Sequence, residues 1–488
     1  MKKFLSVLLA LAMIFSLTVT VSADETKGEM DGYVVVLHTN DVHGAISGYA
    51  KVAALKKAYE AEGAYVLLMD AGDFCQGDPT VSVSQGKTAV ELMNMAGYDV
   101  TTLGNHEFDY GYDNLVNLSK EAKFPIVAAN VLYQGKVAFN ANQIFTTPSG
   151  VKIGVFGLET PETATKAHPA KIKGVTILGD KSMFDCAQAQ VDSLKADGCD
   201  YIICLGHLGI DKESIGNRST DLLNVVDGID VFIDGHSHST MKDIAEVTDK
   251  DGKVNGTLLT STGTKLANIG KMTITPEGKV STELVNGYTE VDAETDAFVK
   301  NIQAQFSDKL NEVVAKSNVD LVVNDPETGK RLIRNQETNL GDLCADAYRT
   351  VLGADIAFVN GGGIRADILA GDLTYGEIIA VHPFGNTACV VEATGQEIVD
   401  ALEMTARSTP GENGGFLQVS GLKYTIDLNI TSSVKVDDKS MFVSVEGLRR
   451  VKNVQVLNQA GEYEPIDLEK TYTLASHNYM LKSGGDGI

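Results

Sequence analysis

Residues of the types that bind metals or transfer protons follow several apolar runs of this 488-residue chain. The densest group lies in DVTTLGNHEFDYG, residues 99–111, where an amide, an imidazole and two carboxylates come directly after Gly104. A strand that only contributed to a core would end in ordinary turn residues. The same ending recurs along the chain, at Asp41-Val42-His43, Gly72-Asp73, Gly104-Asn105-His106-Glu107, Gly206-His207 and Gly235-His236-Ser237-His238.

Each piece alone is typical of a capped turn or a loop, but the ordered set matches the ligands of two neighbouring divalent ions. Such a centre needs a bridging carboxylate, for which Asp73 is the natural candidate. Asp41, His43 and His238 would complete one metal site, and Asn105, His207 and His236 the other. Two ions held in this way activate a water molecule and bind the oxygens of a phosphoryl group.

The apolar runs that carry these residues alternate with helix-like segments between residues 33 and 286. The runs are continuous rather than alternating with polar residues, as in parallel strands covered on both faces. This pattern predicts a layered α/β domain with its functional residues at the strand ends.

A different segment follows, in which Phe298, Ile302, Phe306, Leu310 and Val314 recur every four residues. This spacing predicts an amphipathic helix, which we interpret as a connector between two domains; a helix packed on the first domain has the same period. Further strand-like runs after it predict a second unit.

The N-terminus has the three parts of a signal peptide: Lys2 and Lys3, an apolar run, and Val21-Ser22-Ala23 as a small-residue cleavage site. We predict cleavage after residue 23, rather than a retained anchor, and a secreted or periplasmic protein without a membrane span after cleavage. The six cysteines have no C-x-x-C spacing and do not indicate a zinc framework. Their pairing and the oligomeric state stay open.

The formal net charge of −24 argues against a nucleic-acid scaffold as partner, because phosphate backbones select basic surfaces. A small anionic substrate is compatible with that charge, since bound metal ions reverse the local field.

In this order, the motifs LHTNDVHG, DAGDFCQGDP, GNHEFDYG, GHLG and GHSH resemble those of the calcineurin-like metallophosphoesterases. More closely, the chain resembles the exported 5′-nucleotidase family over nearly everything after the signal segment. The resemblance implies a four-layer α/β metallophosphoesterase sandwich at residues 24–290, a linker helix at 291–317 and a C-terminal α/β substrate-binding domain at 318–488.

The resemblance also implies roles around the opening motif. His106 and Asp109 would form a catalytic pair, in which the carboxylate orients the imidazole and the imidazole stabilises phosphoryl charge or protonates the leaving alkoxide. Glu107 would hold the loop. Some 5′-nucleotidases have Gln or Asn in place of His238. The nitrogen and oxygen ligands suit Zn, Mn, Co or Fe and do not distinguish among these metals.

In the second domain, the resemblance implies a nucleotide-binding surface. Arg365 and Arg334 would bind phosphate oxygens, Phe384 would stack on the base, and Asp486 would accept from ribose hydroxyls. Tyr479 is the candidate for a second stacking aromatic, although Met480 occupies the usual offset. The substrate-binding residues implied are Arg334, Asn360, Gly362, Arg365, Phe384, Tyr479 and Asp486.

Family members continue beyond the point that corresponds to Ile488, so we expect a fragment or a shortened product. The leading hypothesis is an exported phosphohydrolase with two divalent ions that cleaves nucleoside 5′-monophosphates. The alternatives are a nucleotide-sugar or dinucleotide pyrophosphate hydrolase and a 2′,3′-cyclic-nucleotide 2′-phosphodiesterase/3′-nucleotidase. A non-catalytic nucleotide-binding protein is the hypothesis from a different class.

Overall fold

The computed structural model describes residues 28–437 and 440–488; the predicted signal peptide lies outside these ranges. In the described part, a first sheet has five strands, in the spatial order Val280–Val285, Ile269–Ile274, Val34–Thr39, Tyr65–Asp70 and Val100–Thr101. A second sheet has six, in the order Lys253–Val254, Thr257–Thr260, Val231–Asp234, Tyr201–His207, Lys152–Glu159 and Asn142–Thr146.

The two sheets pack face to face, and alternation along their strands separates the two faces. Val34 and Val36 lie in the apolar layer between the sheets, whereas Val35 and Leu37 face the helices outside the first sheet. Helices also cover the outer face of the second sheet. The first domain is therefore a four-layer α/β sandwich, as predicted. Its helices are Tyr49–Ala61, Pro79–Val83, Lys87–Ala96, Tyr112–Glu121, Thr163–Lys166, Asp180–Ala196, Ser219–Leu223 and Met241–Ile244.

Helix ends follow local sequence signals. The helix Lys87–Ala96 begins after Gly86 and ends at Gly97, and both glycines have a positive φ, +88° and +77°. A small sheet of Val131–Tyr133, Lys136–Val137 and Val175–Ile177 lies beside the sandwich.

The second domain is built on a sheet in the order Ala388–Thr394, Thr471–His477, Ile356–Asn360 and Leu417–Ser420. A further sheet contains Leu422–Ile426, Val451–Leu457 and Tyr463–Pro465, and two strand pairs join Val313–Ser317 to Gly371–Thr374 and Val434–Val436 to Phe442–Val445. The helices are Asn339–Leu352, Tyr375–Val381, Gly395–Thr405 and Asn478–Ser483.

The predicted linker helix over 291–317 is shorter in the structure. It spans Ala293–Leu310, and Val313–Ser317 form a strand of the second domain instead. Val299 and Ile302 are buried in the outer core of the first domain. The helix is thus packed on the first domain and leads into the second. The division at residues 290 and 317 stays a prediction.

Among the described residues, no helix combines the length and the apolar composition that crossing a bilayer requires.

A core substitution in the second domain tests its packing. Phe358 is 0 % exposed on the central strand, so Phe358→Ala leaves a cavity and is expected to lower the free energy of unfolding by about 3–5 kcal/mol. Urea denaturation measures this. Leu448→Ala is the control, because Leu448 is 71 % exposed and the change is expected to stay within about 0.5 kcal/mol. Equal effects of the two variants would contradict this packing.

Candidate active site

The predicted ligands lie together because parallel strands from both sheets end at the same edge of the sandwich. Three parallel strands of the first sheet lead to the segments that carry Asp41, Asp73 and Asn105. Two parallel strands of the second sheet lead to His207 and His236. The carboxyl ends of parallel strands are where α/β folds place their sites.

Three groups of side chains bring possible metal-binding atoms within 4.8 Å of one another. The groups are Asp41, His43 and His238; His43, Asp73 and His106; and Asp41, Asp73 and His207. Asp73 Oδ2 lies 3.1 Å from His207 Nε2, and Asp41 Oδ1 lies 3.5 Å from His238 Nε2.

Hydrogen bonds outside the cluster fix how two of its histidines point. His43 Nδ1 lies 3.1 Å from Gln76 Oε1, and His207 Nδ1 lies 2.7 Å from the carbonyl of Ala71. Both acceptors are oxygens, so each Nδ1 is the protonated nitrogen. The Nε2 atom of each ring is then directed into the cluster, which is the arrangement that metal-binding histidines adopt.

Other polar atoms in the cluster lack the hydrogen-bond partners that a site without metal ions would need. Asn105 Oδ1 is buried and has no hydrogen-bond partner within the described ranges. His43 Nε2 and His238 Nε2 lie only 2.9 Å apart. An orphaned buried oxygen and two facing imidazole nitrogens fit divalent cations, and the donors are all nitrogen and oxygen.

The backbone at the site is strained. Among the predicted ligands, a positive φ occurs at Asp41, His43, Asp73, His236 and His238, between +46° and +75°. Side chains rarely adopt this conformation, and it collects at functional sites. Close approach also requires glycine: a Cβ on Gly104 would lie 2.3 Å from Asp73 Oδ1.

Glu107 holds two strand ends together. Its carboxylate accepts four backbone N–H groups, from Asp73, Phe74, Cys75 and Gly104, at 2.6–3.0 Å. The side chain is fully buried. It therefore fixes the loop of Asp73 against the loop of His106, in line with the structural role that the sequence suggested.

His106 and Asp109 form the predicted pair. His106 Nδ1 donates to Asp109 Oδ2 at 2.7 Å, and His106 Nε2 lies 4.0 Å from Asp73 Oδ2. Phe384 of the second domain lies nearly parallel to the His106 ring, with 5.5 Å between centroids. The pair is thus buried, oriented and covered from the second domain.

His236 has a partner that the sequence did not predict. Its Nε2 lies 3.1 Å from Glu162 Oε2, and its backbone N–H donates to Asp41. Nδ1 of His236 has no partner among the described residues, which leaves this nitrogen available to a cation. His236 is absent from the three groups above.

A cleft between the two domains adjoins the cluster and contains most of the predicted site residues. Those that line it are Asp73, Asn105, His106, Asp109, His236, His238, Arg334, Asn360, Gly362, Arg365, Phe384, Tyr479 and Asp486. Asp41, His43 and His207 lie buried beside it. The structure therefore brings all the predicted site residues together.

Two guanidinium groups face this cleft without an anionic partner. Within the described ranges, Arg334 and Arg365 make no hydrogen bond or ion pair through their side chains; Arg365 Cζ lies 5.9 Å from the centre of the Phe384 ring. Burial, together with Arg331 and Arg365, lowers the pKa of Arg334 to about 9. A bound anion would relieve this repulsion.

At the far end of the cleft, Asp486 is held by hydrogen bonds. Asn360 Nδ2 donates to Asp486 Oδ2 at 2.7 Å, and His477 Nε2 lies 3.1 Å from Asn360 Oδ1. Tyr479 is buried and its hydroxyl donates to the carbonyl of Thr165 across the domain boundary.

Several site residues carried no signal in the sequence. Glu162, Lys166 and Glu213 lie in or beside short helices without a motif, and only the fold brings them into the cleft. Gln76 and Asn40 lie within the motifs DAGDFCQGDP and LHTNDVHG, but the sequence analysis assigned them no role.

This arrangement defines a metallophosphoesterase fold and site, and comparisons with known proteins agree. Residues 34–240 match the family model of calcineurin-like phosphoesterases, and residues 313–488 match that of the 5′-nucleotidase C-terminal domain. The chain thus combines a calcineurin-like phosphoesterase domain with a 5′-nucleotidase C-terminal domain, and it is a metal-dependent phosphoesterase hydrolase.

Individual relatives cover most of the chain. The trifunctional nucleotide phosphoesterase protein YfkN of Bacillus subtilis is 31 % identical over 93 % of this chain, which spans 32 % of that longer protein. The 5′-nucleotidase of Vibrio parahaemolyticus is 28 % identical over 86 % of this chain and 82 % of its own length. The structure of a 5′-nucleotidase precursor from Thermus thermophilus superimposes with a TM-score of 0.76, at 29 % identity, over 93 % and 91 % of the two chains.

Replacement of the Glu107 carboxylate tests its bridging role. Glu107→Gln puts an amide N–H₂ group against backbone donors, so we expect a loss of about 2–4 kcal/mol in unfolding free energy and weaker metal binding. Urea denaturation and metal content after dialysis measure the two effects. Glu392→Gln, at an exposed strand position, is the matched control. Wild-type stability and metal content in Glu107→Gln would contradict the role.

Proposed function

We propose that this protein is an exported phosphohydrolase with two divalent ions that releases phosphate from nucleoside 5′-monophosphates. The observation that carries the proposal is the position of two unpaired guanidinium groups in the same cleft as the carboxylate–histidine cluster. Negative charge of a phosphoryl group fits between them. The signal-like segment at residues 1–23 supports export.

The chain's donor set would hold the two ions through Asp41, His43, Asp73 and His238 on one side and Asp73, Asn105, His207 and His236 on the other. When bound, divalent ions supply an activated water and neutralise phosphoryl charge. Zn, Mn, Co and Fe all suit nitrogen and oxygen ligands, so the native metal is left open.

Arg334 and Arg365 bind and orient the phosphate in this proposal. Each offers several N–H donors in a planar fork, which matches two phosphate oxygens at once. Holding the phosphate between domains also excludes water from the reacting face, because Phe384 covers His106 from the second domain.

His106 acts through Nε2. Asp109 accepts from Nδ1 and stabilises the protonated ring, so Nε2–H can donate to a phosphoryl oxygen or to the leaving alkoxide. Nε2 lies 4.0 Å from Asp73 Oδ2, at the border of the cluster, which is where a phosphoryl group would lie.

The second domain would bind the nucleoside. Asp486 presents a buried carboxylate to ribose hydroxyls, near Asn360 and Gly362, and Phe384 offers a ring face to the base. Tyr479 lines the same cleft and is the second aromatic candidate.

A second substrate class is favoured by a further groove on the other side of the cluster. His43 and His238 line this groove together with Lys265, Arg331 and Arg365. A substituent on the phosphorus, opposite the nucleoside, would have room there, in a groove that acidic side chains such as Asp78, Asp211 and Glu412 also line. Nucleotide sugars and dinucleotide pyrophosphates are therefore alternative substrates. The 2′,3′-cyclic nucleotides stay a further alternative, which the groove does not favour because both esters of their phosphorus belong to one ribose.

Phosphate release from defined substrates tests the proposal. The metal-free protein is expected to be inactive, and Mn²⁺ or Zn²⁺ is expected to restore rapid turnover of AMP. A panel of AMP, a nucleotide sugar, 2′,3′-cyclic AMP and p-nitrophenyl phosphate identifies the preferred substrate when all products are separated by chromatography, because cleavage of a pyrophosphate or cyclic phosphate bond releases no inorganic phosphate. Turnover of p-nitrophenyl phosphate alone would contradict the nucleotide assignment. Nucleotide binding without any turnover would instead favour a non-catalytic binding protein.

The histidine–carboxylate pair has its own test. His106→Ala removes the imidazole and is expected to lower kcat by about 10²–10⁴ with AMP. Asp109→Asn removes only the carboxylate that orients this ring, so it is expected to lower kcat by a smaller factor. Steady-state kinetics on metal-loaded protein measures this, with metal content as a check. Asp113→Asn, at an exposed helix start, is the control. A wild-type kcat in His106→Ala would rule out the pair.

A further inference from the structure

Lys166 of the first domain reaches into the cleft from the helix Thr163–Lys166. Its ammonium lies 2.7 Å from Glu213 Oε1, so it is anchored within its own domain. The side chain is only 21 % exposed. A charged group held at this depth has a fixed position, which a surface lysine lacks.

The same ammonium faces the second domain. Lys166 Nζ lies 3.6 Å from Asp486 Oδ1, a distance too long for a direct hydrogen bond. A Cβ on Gly414 would lie 3.1 Å from Lys166 Nζ, so the second domain is also shaped to admit the lysine. Lys166 and Asp486 thus face each other across the cleft.

Hydrogen-bond capacity is left over on both sides of this gap. Asn360 uses Oδ2 of Asp486, which leaves Oδ1 facing the lysine. Glu213 uses one of the three N–H donors of Lys166. A hydroxyl group can fill such a gap, because it donates to a carboxylate and accepts from an ammonium at the same time.

We propose that Lys166 is a specificity-determining residue that binds a sugar hydroxyl of the nucleoside together with Asp486. The proposal rests on the nucleotide substrate class given above. The hydroxyl donates to Asp486 Oδ1 and accepts from Lys166 Nζ, so the sugar is bound by both domains. A sugar without that hydroxyl makes one hydrogen bond fewer to the ammonium and one fewer to the carboxylate, which lowers its affinity.

An ion pair that only joined the domains would behave differently. Its loss would weaken binding of all ligands in the cleft by the same factor. Loss of a hydroxyl contact changes the ratio between ribose and deoxyribose ligands, and this ratio separates the two roles.

Calorimetric titration of the Mn²⁺-loaded protein with adenosine, 2′-deoxyadenosine and 3′-deoxyadenosine tests the proposal. The wild type is expected to bind adenosine about tenfold more tightly than at least one deoxynucleoside. Lys166→Met is expected to lose about tenfold in adenosine affinity and to show a smaller preference for adenosine over that deoxynucleoside, because only the Asp486 contact is left. Lys166→Arg keeps the charge and is expected to retain a preference. Lys173→Met, at an exposed position that follows the helix of Lys166 in the chain, is expected to match the wild type.

An unchanged affinity ratio in Lys166→Met, or a wild type that binds no nucleoside or does not distinguish the three, would overturn the proposal. If Lys166→Met loses its thermal transition, Glu213→Gln replaces it: weaker anchoring of the lysine must then reduce the ratio, and an unchanged ratio counts against us. Because binding is measured with nucleosides, a protein that binds adenosine but releases no phosphate from AMP contradicts only the proposed function.

Discussion

Burial of two carboxylates in one cluster is the constraint on which the rest of the site depends. Asp41 and Asp73 are almost fully buried, and His207 Nε2 lies 3.9 Å from one and 3.1 Å from the other. Burial raises the pKa of Asp41 to about 6, whereas at Asp73 burial is outweighed by His207 and His106, which hold its pKa well below the usual range. Positive charge must therefore be supplied locally. Histidines and backbone N–H groups supply part of this charge, and the donor set could hold divalent ions that supply the rest.

The sequence predicted the elements that carry the cluster with good accuracy, because continuous apolar runs and helix boundaries have strong local signals. The helix Asp180–Ala196, for example, lies between the strands Lys152–Glu159 and Tyr201–His207, as the alternation of apolar runs and helix-like segments predicts. Periodicity misled only at Val314, where an apolar residue at helical spacing belongs to the strand Val313–Ser317. Pairing with Gly371–Thr374 makes this segment a strand rather than a helix. No local pattern encodes a partner so distant in the chain.

The candidate site was predictable where ligand chemistry imposes residue types in a fixed order, and unpredictable where it depends on packing. Asp73 and His207 stand out because they belong to an ordered set of motifs at the ends of apolar runs. Glu162, which holds His236, and Glu213, which holds Lys166, lie in or beside short helices whose positions depend on tertiary contacts. Their carboxylates look like ordinary surface charges in the sequence. The roles assigned to individual ligands and to the substrate-binding residues stay predictions.

The distribution of the site over two domains has a consequence for how such proteins diversify. The carboxylate–histidine cluster, with His106 and Asp109, lies wholly in the first domain, whereas Arg334, Arg365, Phe384 and Asp486 come from the second. Changes in the second domain can therefore alter which molecules enter the cleft while the hydrolytic machinery is inherited intact. Selection can therefore act on the two domains largely independently, and one reaction centre can serve different phosphate esters in the course of evolution.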